Sequence, residues 1–409
     1  MKKLFAFMLA ILMVVSLAAC GGTTEDPANT DADFKMGVIL VGDENEGYTY
    51  AHIQGIEAAA ESLGLADDQI IWKYTIPEDE TCYDTAADLA DQGCSLVVSN
   101  SYGHQSFMQQ AATEYPDVTF IAMTGDTAKA SGLPNFCNAF TSVYESRYVS
   151  GIVAGMKIKE LADADKLEKD NFDKDGNVKV GYVGAYPYAE VKSGYTAFFL
   201  GIKSVYEDVA MSVQFTNSWF DLTKEGETAN QLLSQGCVII GQHADSTGAP
   251  SAVQAALESG DVCYSIGYNI DMLEVAPDAA LTSATNVWSV YYTEAIGAAL
   301  KGEAVPTNWA KGYADGAVAI TPLGESAAEG TQEKVDAAIA AIKAGELQVF
   351  DVDTFTVGGE KVESAFATDT DGDFVPDADE AVFDGYFHES YFQSAPCFAL
   401  DIDGITLLN

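Results

Sequence analysis

Positive charge is what this chain has least of. Lysine and arginine together number 20 against 62 aspartates and glutamates in 409 residues, for a net charge of −42, and the single arginine is Arg147. A surface of that sign repels phosphate backbones, which removes nucleic acid from the list of partners. Acidity of this kind speaks for solubility and says little about fold. Histidine is also scarce, with four residues, and no GxSxG nucleophile elbow, phosphate-binding loop, HExxH or paired-cysteine metal motif occurs. The chain is therefore read as a binder and not as an enzyme, with no catalytic residue. Seven cysteines contain no CxxC pair. Cys82, Cys94, Cys137, Cys237, Cys263 and Cys397 are expected mostly as free, buried thiols.

Long apolar runs are missing too, except at the start. There Lys2 and Lys3 precede LFAFMLAILMVVSLAA, and Leu17-Ala18-Ala19-Cys20 follows the pattern of a bacterial lipoprotein signal. Residues 1–19 are expected to be the signal, with Cys20 acylated and residues 20–33, small and acidic, serving as a flexible tether. The expected address is the outer face of the cell membrane, held by lipid, since no later run approaches the roughly 20 residues of a membrane span.

What is present is core material: 48% apolar residues, with 20 Tyr and 20 Phe. Apolar strand candidates at 36–42, 95–100, 118–123, 178–184, 211–216, 237–242 and 262–268 alternate with amphipathic helical patterns. Strand and helix in alternation predict parallel sheets covered on both faces. Residues 91–112 (DQGCSLVVSNSYGHQSFMQQAA) echo residues 235–256 (QGCVIIGQHADSTGAPSAVQAA): helix end, Gly-Cys, buried strand, polar loop, Ala-rich helix. The echo predicts an α/β protein of two doubly wound parallel-sheet domains, joined by a hinge, with a ligand cleft between their strand-end loops. The domains are expected over 34–140 plus 272–312 and over 141–271 plus 313–409.

Those loops carry the candidate site. The first, GDENEGYTYAHIQG, offers Asn45, Tyr48 and Thr49; the loop SNSYGHQS offers Asn100, Tyr102 and His104. In the second half AYPYAE brings Tyr186 and Tyr188, GQHADSTG brings Asp245 beside His243, GYNIDM brings Asp271 beside Tyr268 and Asn269, and TNVW brings Asn286 and Trp288. Aromatic rings beside acids and amides suit a flat, polar, neutral or weakly basic ligand, stacking for affinity and hydrogen bonding for orientation.

Taken in order, the lipoprotein-type Leu-Ala-Ala-Cys, GDENEGYTYAHIQG, GCSLVVSNSYGHQ, EYPDVTFIAMTG, YESRYVSGIVAGM, VGYVGAYPYAEVKSGYTAFFLG, GCVIIGQHADSTGA, IGYNIDM and LTSATNVW resemble the basic membrane protein family of purine-nucleoside-binding lipoproteins. These are the substrate-binding components of ABC importers, and the likeness runs through about residues 34–310. It implies a type I periplasmic-binding-protein fold closing on a small ligand, best matched by a purine nucleoside, and docking to a permease and its ATPase. It also implies that Tyr48 with Asn45 or Thr49 meets the base, that Asn100, Tyr102 or His104 joins them, and that Asp271 meets ribose hydroxyls. Where the family has a lysine after LTSAT, this chain has Asn286. A surface sensory receptor of the same fold is the alternative.

One motif stands apart. DTDGDFVPDADE places Asp369, Asp371, Asp373, Asp377 and Glu380 at the ligand spacing of an EF-hand-type calcium loop. The sixth position, which needs glycine for its turn, holds Phe374, and Pro376 stiffens the loop. Calcium is thus expected at most as a local staple, a calcium-dependent surface protein being the second alternative; no other cofactor is expected.

Overall fold

The computed structural model describes residues 34–367 and 379–409. The expected signal, Cys20 and the tether lie outside the described residues, as do Asp369, Asp371, Asp373 and Asp377. The carboxylate of Glu380 accepts hydrogen bonds from the Ser364 hydroxyl and from the Ala365 and Val382 N–H groups. Among the described residues no cluster of three or more His, Cys, Asp or Glu side chains could hold a metal, and no helix is long and apolar enough to cross a membrane.

Two sheets carry the chain. The first contains β1 (Met36–Ile39), β2 (Ile70–Lys73), β3 (Leu96–Ser99), β4 (Thr119–Met123) and β5 (Phe136–Thr141). The second contains β6 (Val178–Gly184), β7 (Val209–Phe215), β8 (Ile239–Gln242), β9 (Tyr264–Tyr268) and β10 (Ala280–Asn286). Then β11 (Asn308–Lys311) returns to β5, β12 (Val318–Ile320) lies antiparallel on β10, and after a small hairpin of β13 (Val382–Phe383) and β14 (Tyr386–Phe387), β15 (Ile405–Leu407) runs parallel to β7. The orders are β2-β1-β3-β4-β5-β11 and β15-β7-β6-β8-β9-β10-β12, so five parallel strands of the second sheet repeat the order of the first, while β12 is antiparallel where β11 is parallel and β15 is added at the far edge. The echo seen in the sequence is the third βα unit of each sheet.

The strands read as apolar runs because helices cover both of their faces; β1, β3 and β5 are buried throughout. The topology reverses between β1 and β3 and between β6 and β8, where loops at the carboxyl ends of strands diverge and leave a crevice. The chain passes between the sheets three times: after β5, after β10 and after β11. The expectation that residues 272–312 return together to the first sheet is corrected here, since 280–286 form the fifth strand of the second sheet and the return begins with the helix Trp288–Leu300, which packs on Gly47–Leu63. The segment ALTSATN hid its strand character because small polar residues stand where Val or Ile would be expected. The six cysteines of the described chain are free and buried.

Candidate functional site

Asn100, at the end of β3, knits the first wall together. Its Oδ1 accepts the Val41 N–H at 2.8 Å, its Nδ2 donates to Thr49 Oγ1 at 3.1 Å, and its carbonyl accepts the Tyr48 hydroxyl at 2.6 Å. Thr49 in turn donates to the Glu46 carboxylate. The two loops at the first switch point are thereby fixed to one another, with Tyr48 facing the space between the sheets. Behind Tyr48 stands a buried aromatic stack: His52 lies edge-on to it with centroids 4.5 Å apart and stacks on Trp288 at 4.3 Å, while Tyr292 Oη and His52 Nδ1 are 2.7 Å apart. Burial drives the His52 pKa down to about 3, so the ring is neutral.

Asp245, after β8, is the centre of the opposite wall. It is buried and accepts Asn269 Nδ2–H at 2.7 Å; Asn269 Oδ1 accepts from Asn286 at 3.0 Å, and Asn286 accepts from Thr141 of the first sheet. A buried polar chain thus runs from the first hinge crossing to the cleft, through Asn269 at φ +63°, a conformation that asparagine tolerates better than most residues. Burial raises the Asp245 pKa well above the usual carboxylate range, and the nearby Glu46, Glu225 and Glu190 raise it further. A carboxyl group pushed toward its neutral form can both donate and accept a hydrogen bond.

Beside it, Glu190 in the first turn of the helix Ala189–Lys203 stands 3.0 Å from His243 Nε2. The guanidinium of Arg147, 1% exposed, lies 3.6 Å from the centroid of the Tyr268 ring and donates to the Gln242 carbonyl. Burial first, and Arg147 second, depress the His243 pKa. Glu225 bonds the Ser246 N–H at 3.1 Å and that of Asp221 at 3.0 Å, tying the Asp245 loop to the start of the helix Leu222–Ser234. Aromatic rings close the mouth. Tyr186 stacks on Tyr188 at 5.2 Å and meets Trp219 at 5.0 Å, and Tyr188 reaches across to Tyr102 of the other wall at 5.9 Å.

The cavity these residues enclose is small, about 60 Å³, against the roughly 300–1,000 Å³ common for small-molecule sites. Of the residues singled out in the sequence, Tyr48, Asn100, Tyr102 and Asp245 line it, as do His243 and Tyr268 named beside them. Tyr186 and Tyr188 stand at its rim, and Thr49 and Asn286 lie behind it as positioning residues. Asn45 is exposed and bonded to Asp43 at 2.8 Å, His104 is buried against the Ile76 carbonyl at 3.0 Å, Trp288 is foundation, and Asp271 is exposed and accepts the Leu273 N–H at 2.9 Å. The sequence reading omitted Glu46, Glu190 and Trp219, which also line the cavity. Trp219 follows β7 as Tyr102 follows β3, so the strand-end argument could have found it. No lysine or arginine is in the lining.

The acids around the site set a pH dependence. Burial pushes Glu225 and Glu145 each up to about 7; the carboxylate of Glu145 receives the Tyr313 N–H at 2.6 Å. For an acid whose folded pKa exceeds its unfolded one, the folded state holds the extra proton, so stability falls as pH rises from the unfolded value through the folded one. Lowering the pH from 8 to 6.5 should therefore stabilise the ligand-free protein by roughly 1–2 kcal/mol from these two groups. Urea midpoints at the two pH values measure it, and a midpoint that drops on acidification refutes it. Below about pH 6.5 the neutral buried histidines begin to oppose the trend.

A family model described as "ABC transporter substrate-binding protein PnrA-like" matches residues 35–351. A purine-binding protein of Brucella abortus is 31% identical over 339 residues, 83% of this chain and 89% of that protein. A putative ABC transporter glucose-binding protein of Haloferax volcanii is 26% identical, over 78% of this chain and 74% of its own. Among solved structures, an ABC transporter solute-binding protein of Aeropyrum pernix superposes with a TM-score of 0.63 at 18% identity, over 78% of this chain and 93% of that one. At that identity the likeness concerns the fold, which is the two-domain fold of periplasmic binding proteins.

Proposed function

Since the chain belongs to the PnrA-like family of ABC transporter substrate-binding proteins, a family of solute binders and not of enzymes, we propose that its own ligand is a purine nucleoside. The protein would take it up between the two sheets on the outer face of the membrane, held there by lipid on Cys20, and deliver it to a permease. The observation that carries the ligand reading is the lining: Tyr48, Tyr102, Trp219 and Tyr268 converge on one space with Asn100, Glu46, Glu190 and Asp245, whose pKa burial raises, and without a lysine or arginine. Aromatic faces hold a flat base, and amide and carboxyl groups match the alternating donors and acceptors along a purine's edge. The purine-binding relative supports the same class.

Thermal-shift and calorimetric screening with inosine, guanosine, adenosine, the free bases, sugars and amino acids tests this. A purine nucleoside present at about 100 times its Kd should stabilise the fold by about 2.7 kcal/mol. Sugars are in the panel because of the glucose-binding relative. A shift with glucose and none with any purine compound would assign the site to sugars.

A further inference from the structure

The family match ends at residue 351, yet the chain continues to 409 and comes back to the cleft. We propose that residues 389–397 form a third wall that builds a second ligand subsite. On the purine reading above, on which this identification rests, that subsite takes the sugar of the nucleoside.

The second lobe anchors this segment. β15 pairs with β7, the Asn409 side chain brackets Phe215 with two hydrogen bonds of 2.8 Å, and Lys192 reaches both the Ala399 carbonyl at 3.1 Å and Asp401 at 2.6 Å. Buried Glu389 receives the N–H groups of Cys397 and Phe398, which folds the strap back on itself. The segment itself bonds to the first lobe: Ser394 Oγ donates to the Gly125 carbonyl at 3.4 Å, and Lys129 Nζ to the Phe392 carbonyl at 3.3 Å.

Gln393, Ala395 and Pro396 line a chamber whose other walls come from both lobes. Tyr102, Thr124 and Glu190 belong to it and to the aromatic cavity alike, so the two spaces adjoin. Gln393 is 4% exposed and Ser394 0%, so this part of the strap is buried, while Tyr391 stays exposed. The chemistry of the chamber differs from that of its neighbour: an amide from Gln393 and carboxyl groups from Asp126 and Glu190, with no lysine or arginine in its lining. Such a lining suits neutral hydroxyl groups, which can donate to carboxylates, and opposes a phosphate.

Calorimetry with hypoxanthine, inosine, inosine 5′-monophosphate, D-ribose and D-glucose, on the full chain and on Gln393→Leu and Ala395→Trp, tests the proposal. The unaltered protein should bind inosine at least tenfold more tightly than hypoxanthine, and the monophosphate at least tenfold more weakly than inosine. Each variant should lose at least tenfold for inosine and stay within twofold for hypoxanthine. Gln393→Leu, close in volume to the original, decides the matter if Ala395→Trp fails to fold. Variants that melt normally and keep full affinity for inosine overturn the third wall, as does equal affinity of the unaltered protein for inosine and hypoxanthine. Binding of a sugar alone, weakened by the same variants, ends the purine reading and keeps the strap as a wall. Binding of none of the five overturns both.

Discussion

An Asp245→Ala variant will bind a purine nucleoside at least a hundredfold more weakly than the parent protein, and Asp245→Asn will retain most of the affinity. Asp245 is buried, lines the cavity and is held in place by Asn269 at 2.7 Å. A ligand polar group facing an alanine there would lose its partner inside a closed site, and an unsatisfied buried group costs about 1–3 kcal/mol. Two decades of affinity correspond to about 2.8 kcal/mol, the upper part of that range. Because burial and the neighbouring acids push Asp245 toward its neutral form, asparagine reproduces the donor and acceptor of that form without a charge. Calorimetry on the two variants separates the cases. Equal losses for Ala and Asn would mean that the ligand needs the carboxylate itself.

The second large effect concerns stability. Gly201→Val should cost more than about 3 kcal/mol, because overpacking that has to move backbone is severe. The helices Val143–Asp163 and Ala189–Lys203 cross so closely that a Cβ on Gly201 would lie 2.0 Å from the Tyr148 carbonyl oxygen, and one on Gly151 would lie 2.2 Å from that of Phe198. Those helices carry Arg147 and Glu190, so ligand affinity should fall with stability. Gly297, inside the helix Trp288–Leu300, is the control. A Cβ there finds its nearest atom, of Leu63, at 3.8 Å, and Gly297→Ala should stabilise by roughly 0.5–1 kcal/mol through helix propensity. Urea unfolding of both variants checks the pair, and a Gly201→Val protein as stable as the parent would refute the close crossing.

Much of the architecture is written locally. Each of the seven strand candidates corresponds to a strand, and the Gly-Cys echo marks the third unit of both sheets. Parallel strands buried on both faces must be apolar throughout, so sequence periodicity exposes them. Strands β2, β5 and β10 escaped because IIWK, FCNAFT and ALTSATN are short or carry polar residues whose partners come from elsewhere. Asn138 of β5, for example, bonds the Ala122 carbonyl and the Ala128 N–H.

The site divides along the same line. Composition and the strand-end rule alone determined a non-catalytic, aromatic and acidic binder, with Tyr48, Asn100, Tyr102 and Asp245 on its loops. Only the tertiary structure decided which of the remaining candidates face the cavity. His104 and Trp288 turn into the core, Asp271 turns to solvent, and Glu190 meets His243 across 53 residues of chain. It alone placed Gln393 on the same chamber as Tyr102, nearly 300 residues earlier in the chain. A loop's residue types follow from local sequence, whereas the direction of a side chain and the pKa of an acid follow from what the other lobe packs against it, which no local pattern encodes.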